Sequence, residues 1–124
     1  HGPKVCLVDK YSSSDGDLFP YGFQKLGLGP IIGTRTWGGI VGITGSKSYV
    51  DGQDVRVPFF TSYSTEGEWI VENHGVDPDI VVDINPFEDY LGNDAQLNKA
   101  IEYLLEELKS YKPLPGIPAP RVMP

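Results

Sequence analysis

The hydrophobic pattern changes period several times along this chain. Val5 to Val8 is a continuous apolar run, rich in β-formers, and predicts a buried central strand. The run stops at Asp9, and a polar turn follows through Ser12, Ser13, Ser14, Asp15, Gly16 and Asp17. From about Gly16 to Leu28 the apolar residues Leu18, Phe19, Phe23 and Leu26 recur at helical spacing. Pro20 falls near the first turn, where a missing N–H is tolerated, and Gly27 and Gly29 supply the stop. Pro30 to Gly33 predicts a second short buried strand. Strand, helix and strand in this order predict a βαβ unit with a parallel pair.

From Thr34 to Ile70 the texture turns to Gly, Val, Thr, Tyr, Phe and Ser. Short runs at Gly39–Ile43, Val55–Val57, Phe59–Tyr63 and Trp69–Val71 alternate with turn signals at Gly45-Ser46, Asp51-Gly52 and Glu66-Gly67, a pattern that predicts β-hairpins. Val71 to Asp79 reads as a polar loop leaving a strand, and Ile80–Ile84 as a brief strand. Asn93 or Asp94 is placed to cap a helix running to about Tyr111, with Leu97, Ile101, Leu104, Leu105 and Leu108 on one face. The tail from Lys112 to Pro124 holds five prolines and predicts an extended, polyproline-like arm. The fold class expected is α/β, with one domain over residues 1–111 and the Pro-rich tail over 112–124.

The chain has 124 residues, enough for a single core, and its 40% hydrophobic and 22% charged content is that of a globular protein. A formal charge of −7 leaves no excess of Lys and Arg to displace counterions, which argues against nucleic acid as a partner. No apolar stretch approaches the ~20 residues of a membrane-spanning helix. The lone cysteine, Cys6, lies inside the first apolar run and reads as a small buried hydrophobe. The opening His1-Gly2-Pro3 lacks an initiator Met, so residues 1–2 are expected to be non-native or the chain to be a piece of a longer polypeptide.

Ser14 is the first candidate for chemistry. A serine between a buried strand and a helix start lies beside unpaired N–H groups that favour a developing negative charge. The plainer reading is that Ser14 or Asp15 only caps the helix. The surroundings are not Gly-x-Ser-x-Gly, so the α/β-hydrolase elbow is not indicated. An EF-hand fails because Tyr11 and Gly22 fall where the loop needs its first Asp and its bidentate Glu. The glycines of Gly27–Gly33 follow a helix instead of opening one, so they are not a dinucleotide fingerprint. No His, Cys and carboxylate spacing suggests a metal, and no cofactor is expected. His74, the only internal histidine, could complete a triad with Ser14 and Glu72 or Asp77, but a lone loop histidine is more often exposed and locally bonded.

Three stretches together resemble a known family. Val8-Asp9-Lys10-Tyr11-Ser12-Ser13-Ser14-Asp15-Gly16-Asp17, Gly33-Thr34-Arg35-Thr36-Trp37-Gly38-Gly39-Ile40-Val41-Gly42-Ile43 and Val71-Glu72-Asn73-His74-Gly75-Val76-Asp77-Pro78-Asp79 are similar to the C-terminal catalytic domain of tricorn proteases, within the tail-specific (C-terminal-processing) serine peptidases. The resemblance covers nearly the whole chain. It implies a crotonase/ClpP-like α/β core with Ser14 as nucleophile and the Asp15 backbone N–H in the oxyanion hole. Glu72 becomes the acid of a Ser-His-Ser-Glu tetrad, and Trp37, Gly38 and Gly39 line the peptide cleft. The two glycines then allow close approach of the substrate backbone.

The family's catalytic Ser-His pair lies upstream, and no Ser-His dipeptide occurs in this chain. The resemblance therefore implies that His74 is not the base. It also implies that upstream domains of the same polypeptide complete the site and that the chain alone is inactive. Peptides are the expected substrate, the full-length protein is expected to be a homo-oligomer, and no membrane partner is expected. The cytoplasm is the expected compartment, with periplasm or export left open. The competing readings are a noncatalytic peptide-binding module and a small complete hydrolase using Ser14 and His74.

Overall fold

The computed structural model describes residues 2–43, 45 and 47–120. The expected βαβ unit is present. Strand β1 (Cys6–Val8) leads into helix α1 (Asp15–Lys25), which returns the chain to β2 (Ile31–Gly33). β1 and β2 pair in parallel, Cys6 opposite Ile31 and Val8 opposite Gly33. After a two-stranded antiparallel ribbon, β3 (Lys47–Ser48) with β4 (Asp54–Val55), the strand β5 (Ile80–Val81) joins β2 in parallel. The main sheet thus has the order β1-β2-β5. Two helices close the chain, α2 (Pro86–Tyr90) and α3 (Ala95–Leu108).

The core is small and lies between α1 and the sheet. Cys6, Val8, Phe23, Ile31 and Val76 form one buried cluster, with Tyr21 and Val71 packed against it. Burial raises the Cys6 thiol above its ordinary value, as expected for a group whose charged form loses its water. Helix α1 turns Asp17, Pro20 and Phe23 inward and leaves Phe19 and Leu26 exposed. Helix α3 lies against β1 and β2. It buries Gln96 and Ala100, one turn apart, while the stripe of Leu97, Ile101, Leu105 and Leu108 remains exposed. The Gln96 side chain donates to the Val82 carbonyl (2.9 Å) just beyond β5.

The expected hairpins are shorter than their apolar runs. Among the described residues outside β3 and β4, this region pairs through isolated bridges, Gly42 with Phe60 and Tyr63 with Trp69. The Gly39–Ile43 strand does not form, because the N–H groups of Gly39, Ile40 and Val41 are bonded to carboxylate side chains and not to a neighbouring strand. Ile80–Ile84 contributes only its first two residues as strand. Helix α2 was not expected; Asn85 caps it through the Phe87 and Glu88 N–H groups, and Pro86 occupies its first position. Asp94 caps α3 as expected, accepting from Leu97 N–H at 2.9 Å. The tail has no regular structure through Pro120. His1, the Ser46 half of the Gly45-Ser46 turn and the last four residues of the tail lie outside the described residues.

Candidate active site

The site begins where β1 ends. The Asp9 carboxylate folds back on the chain, accepting from the Tyr11 and Ser12 N–H groups (both 2.9 Å). The Ser12 hydroxyl in turn accepts from the Asp9 N–H at 3.1 Å. This local side-chain turn ends the strand and delivers Ser14 to the N-cap position of α1. Ser14 adopts φ 56° and ψ −111°, a positive-φ conformation outside the left-handed helical well and of the sparsely populated kind that costs an L-residue about 1–3 kcal/mol. Its hydroxyl makes no cap hydrogen bond. The Asp17 N–H goes to the Ser14 carbonyl instead, at 2.9 Å. Ser14 and Asp17 stand in a capping-box arrangement, in which the Asp17 carboxylate takes the Ser14 N–H and the Ser14 carbonyl takes the Asp17 N–H. The next N–H, that of Asp15, has no acceptor among the described residues and is one of the orphan donors of the helix start.

Glu72 sits on a second strained turn. The preceding Val71 has φ 62° and the following Asn73 φ 61°. A β-branched residue with positive φ is a genuine outlier. Here the Glu72 N–H closes onto the Ile70 carbonyl at 2.5 Å, a three-residue turn centred on Val71. The His74 and Gly75 N–H groups both return to the Val71 carbonyl, at 2.9 and 2.7 Å. Ser14, Val71 and Asn73 are the non-glycine residues with positive φ among those described. Among the described non-glycine residues, positive φ thus falls on the candidate nucleophile and on the two neighbours of the candidate acid, the kind of place where strain serves a site.

One strap of chain joins the two turns. Asp17, fully buried, accepts from Gly38 N–H through Oδ1 (2.8 Å). Its Oδ2 accepts from Gly39 N–H (3.2 Å) and from Ser14 N–H (2.9 Å). Oε2 of Glu72 accepts from the next two donors, Ile40 N–H (2.7 Å) and Val41 N–H (3.0 Å). Oε1 of Glu72 has no protein partner among the described residues. The strap is also tied back at Trp37, whose N–H donates to the Ser12 carbonyl (2.9 Å). A further tie runs through Thr36, which exchanges bonds with Val76: Thr36 N–H to the Val76 carbonyl (3.1 Å) and Val76 N–H to the Thr36 hydroxyl (2.7 Å).

The expected roles of Gly38 and Gly39 change against this geometry. A Cβ on Gly38, at φ 83°, would lie 2.4 Å from the Gly75 nitrogen, so its bare face is filled by this chain's own 74–75 backbone. A Cβ on Gly39 would meet the Trp37 ring at 2.0 Å. Both glycine N–H groups are occupied by Asp17. Trp37 itself is exposed. The His74 ring pairs with Asp77 (2.7 Å) on an exposed surface and not with Glu72. Among the described residues no three His, Cys, Asp or Glu side chains gather as a metal site would need. A cavity of about 290 Å³ opens beyond the C-terminal ends of the three parallel strands, between Asp9, Tyr11, Thr34, Asp83 and Gln96. That is the side of an open α/β sheet where ligands bind.

Residues 1–82 match the model of peptidase family S41. The chain belongs to peptidase family S41. Among its S41 relatives, tricorn protease of Thermoplasma acidophilum is 43% identical over 110 residues, 89% of this chain and 10% of that protein. A putative tricorn-like protease C-terminal subunit of Sulfurisphaera tokodaii is 46% identical over 109 residues, 87% of this chain and 13% of that protein. The crystal structure of the tricorn protease superposes with a TM-score of 0.82 at 43% identity, over 88% of this chain and 11% of that one. The chain thus spans about a tenth of the length of these S41 peptidases and corresponds to part of a larger protein. The recognised resemblance and the parallel α/β sheet stand.

The residue that the sequence alone does not single out is Asp17. The signal was present: an acid three residues after Ser14 is the spacing of a capping box, in which the N3 side chain reaches the N-cap N–H. Its further reach to Gly38 and Gly39 has no local signature.

Proposed function

We propose that this chain carries the nucleophile and the acid of a serine peptidase whose histidine lies elsewhere in the same polypeptide. Ser14 attacks the carbonyl carbon of a peptide bond while its proton passes to that histidine. The same proton is then given to the leaving amine as the C–N bond breaks. The Asp15 N–H donates to the oxyanion. Glu72 keeps its strap with Oε2 and offers Oε1 to a second serine, which orients the histidine in a Ser-His-Ser-Glu tetrad. Trp37 lines the cleft; Gly38 and Gly39 shape it through their packing, the Gly38 carbonyl being held by Asn73 N–H at 2.8 Å.

The observation that carries this reading is the state of Ser14: a nucleophile-type residue held at φ 56° beside the helix N–H of Asp15, unpaired among the described residues. The core around it is proposed to be crotonase/ClpP-like over residues 1–111, with 112–124 a separate arm. The full-length protein is proposed to act on peptides as a cytoplasmic homo-oligomer. The chain by itself, lacking a base, is inactive.

The test is Ser14→Ala in the full-length protein. Turnover of a peptide substrate and covalent labelling by a fluorophosphonate should both disappear. Unchanged turnover would make the chain a noncatalytic peptide-binding module instead. His74→Ala should leave turnover in place; its loss would support a base within this chain.

A further inference from the structure

We propose that Asp17 is a positioning residue for the nucleophile: its carboxylate holds the Ser14 backbone in the positive-φ conformation and locks that turn to the strap gripped by Glu72. The inference rests on the reading of Ser14 as nucleophile. A helix cap needs one acceptor near the first turn. Asp17 does more, because it reaches 21 and 22 residues along the chain to Gly38 and Gly39 while keeping the Ser14 N–H.

A fully buried carboxylate is stable only when its lone pairs are met, and here three backbone N–H groups meet them. The φ of Ser14 orients its Cα–Cβ bond relative to the amide plane, so the group that holds that plane sets the point from which the hydroxyl swings, leaving only the staggered χ1 choices. Glu72 holds Ile40 and Val41 of the same strap. Four successive N–H groups, 38 to 41, are therefore divided between two carboxylates, and the strap acts as a ruler between nucleophile and acid.

Asparagine at position 17 keeps the size but has one acceptor oxygen, so it cannot serve both Ser14 and Gly38. In the full-length protein, Asp17→Asn should lower kcat and the rate of fluorophosphonate labelling together, by about 10–100-fold, with KM within about twofold. The thermal midpoint is recorded alongside. Wild-type kcat in folded Asp17→Asn would overturn the inference, as would a loss confined to KM. Ser14→Ala, run in parallel, separates the two readings. If Ser14→Ala stays active, the nucleophile assignment fails; if Ser14→Ala is dead and Asp17→Asn is not, only the role of Asp17 fails.

Amide hydrogen exchange of the wild-type protein, resolved to single residues, decides the matter should Asp17→Asn not fold. The Ser14, Gly38 and Gly39 amides should be protected together. A Ser14 amide exchanging at the unprotected rate would overturn the proposal.

Discussion

Ile40 and Val41 donate their N–H groups to the same oxygen of Glu72, Oε2, at 2.7 and 3.0 Å. One carbonyl-type oxygen is enough to satisfy both. Glu72→Gln therefore retains the anchor and removes only the charge, whereas Glu72→Ala leaves two donors without an acceptor. The alanine variant should lose about 2–3 kcal/mol of stability and the glutamine variant less than about 1 kcal/mol, by denaturant titration. Peptide turnover by the full-length protein should fall about 100-fold or more in both. Full activity in Glu72→Gln would mean that the carboxylate is structural only.

Gly38 and Gly75 should be intolerant and Gly39 tolerant. A methyl group on Gly38 meets the Gly75 nitrogen, and one on Gly75, at φ 88°, meets the Thr36 carbonyl oxygen at 2.3 Å. Both obstacles are backbone. The nearest atoms to a methyl group on Gly39 belong to the exposed Trp37 ring, a side chain that can rotate away. The expected costs are about 3 kcal/mol or more for Gly38→Ala and Gly75→Ala, against roughly 1 kcal/mol for Gly39→Ala. Melting curves of the three variants check the order.

The buried Thr36 hydroxyl is the acceptor for the buried Val76 N–H. Thr36→Val preserves shape and removes that acceptor, so it should destabilise by about 1–3 kcal/mol; Thr36→Ser should cost less. A stable Thr36→Val variant would show that Val76 N–H finds another partner.

Cys6 gives a pH dependence. Its thiol is raised from an ordinary value of about 9.0 by burial, so the unfolded chain ionises before the folded one. Between the unfolded and folded values the native state binds more protons, and stability falls as pH rises. The contribution is fully present below pH ~9 and is lost above it. Unfolding titrations from pH 7 to 10.5 should show a steeper loss for the wild type than for Cys6→Ala. In the native protein a thiol reagent should react many times more slowly than in denaturant.

If the base lies elsewhere in the polypeptide, as proposed, the chain expressed alone should resist fluorophosphonate labelling on the timescale of hours. Rapid labelling would show that a base is present within the 124 residues.

The parts of the fold that were legible are those whose bonds are local or whose apolar spacing is regular. Val5–Val8, the α1 pattern through Phe23, the Ile31-Ile32 pair and the Asp94 cap all announce themselves in sequence. The Gly39–Ile43 stretch misleads because its apolar, glycine-rich composition resembles a strand while its donors are claimed by two distant acids. Asp17 and Glu72 lie 55 positions apart, and no window of sequence displays their shared partner. The leucines of α3 mislead in another way: the helix buries Gln96 and Ala100 because a polar side chain is needed at the Val82 carbonyl and a small one fits close to the sheet. Helix α2 is too short for periodicity, although Asn85-Pro86 carried a start signal.

The backbone-to-backbone seam between residues 36–38 and 74–76 also limits how such an enzyme could be retuned. Libraries aimed at new cleavage preferences would gain little from saturating Gly38 or Gly75, since nearly every codon there displaces main chain. Under the proposed function, useful diversity would lie at Trp37, whose side chain is exposed and takes no part in the backbone bonds of the seam.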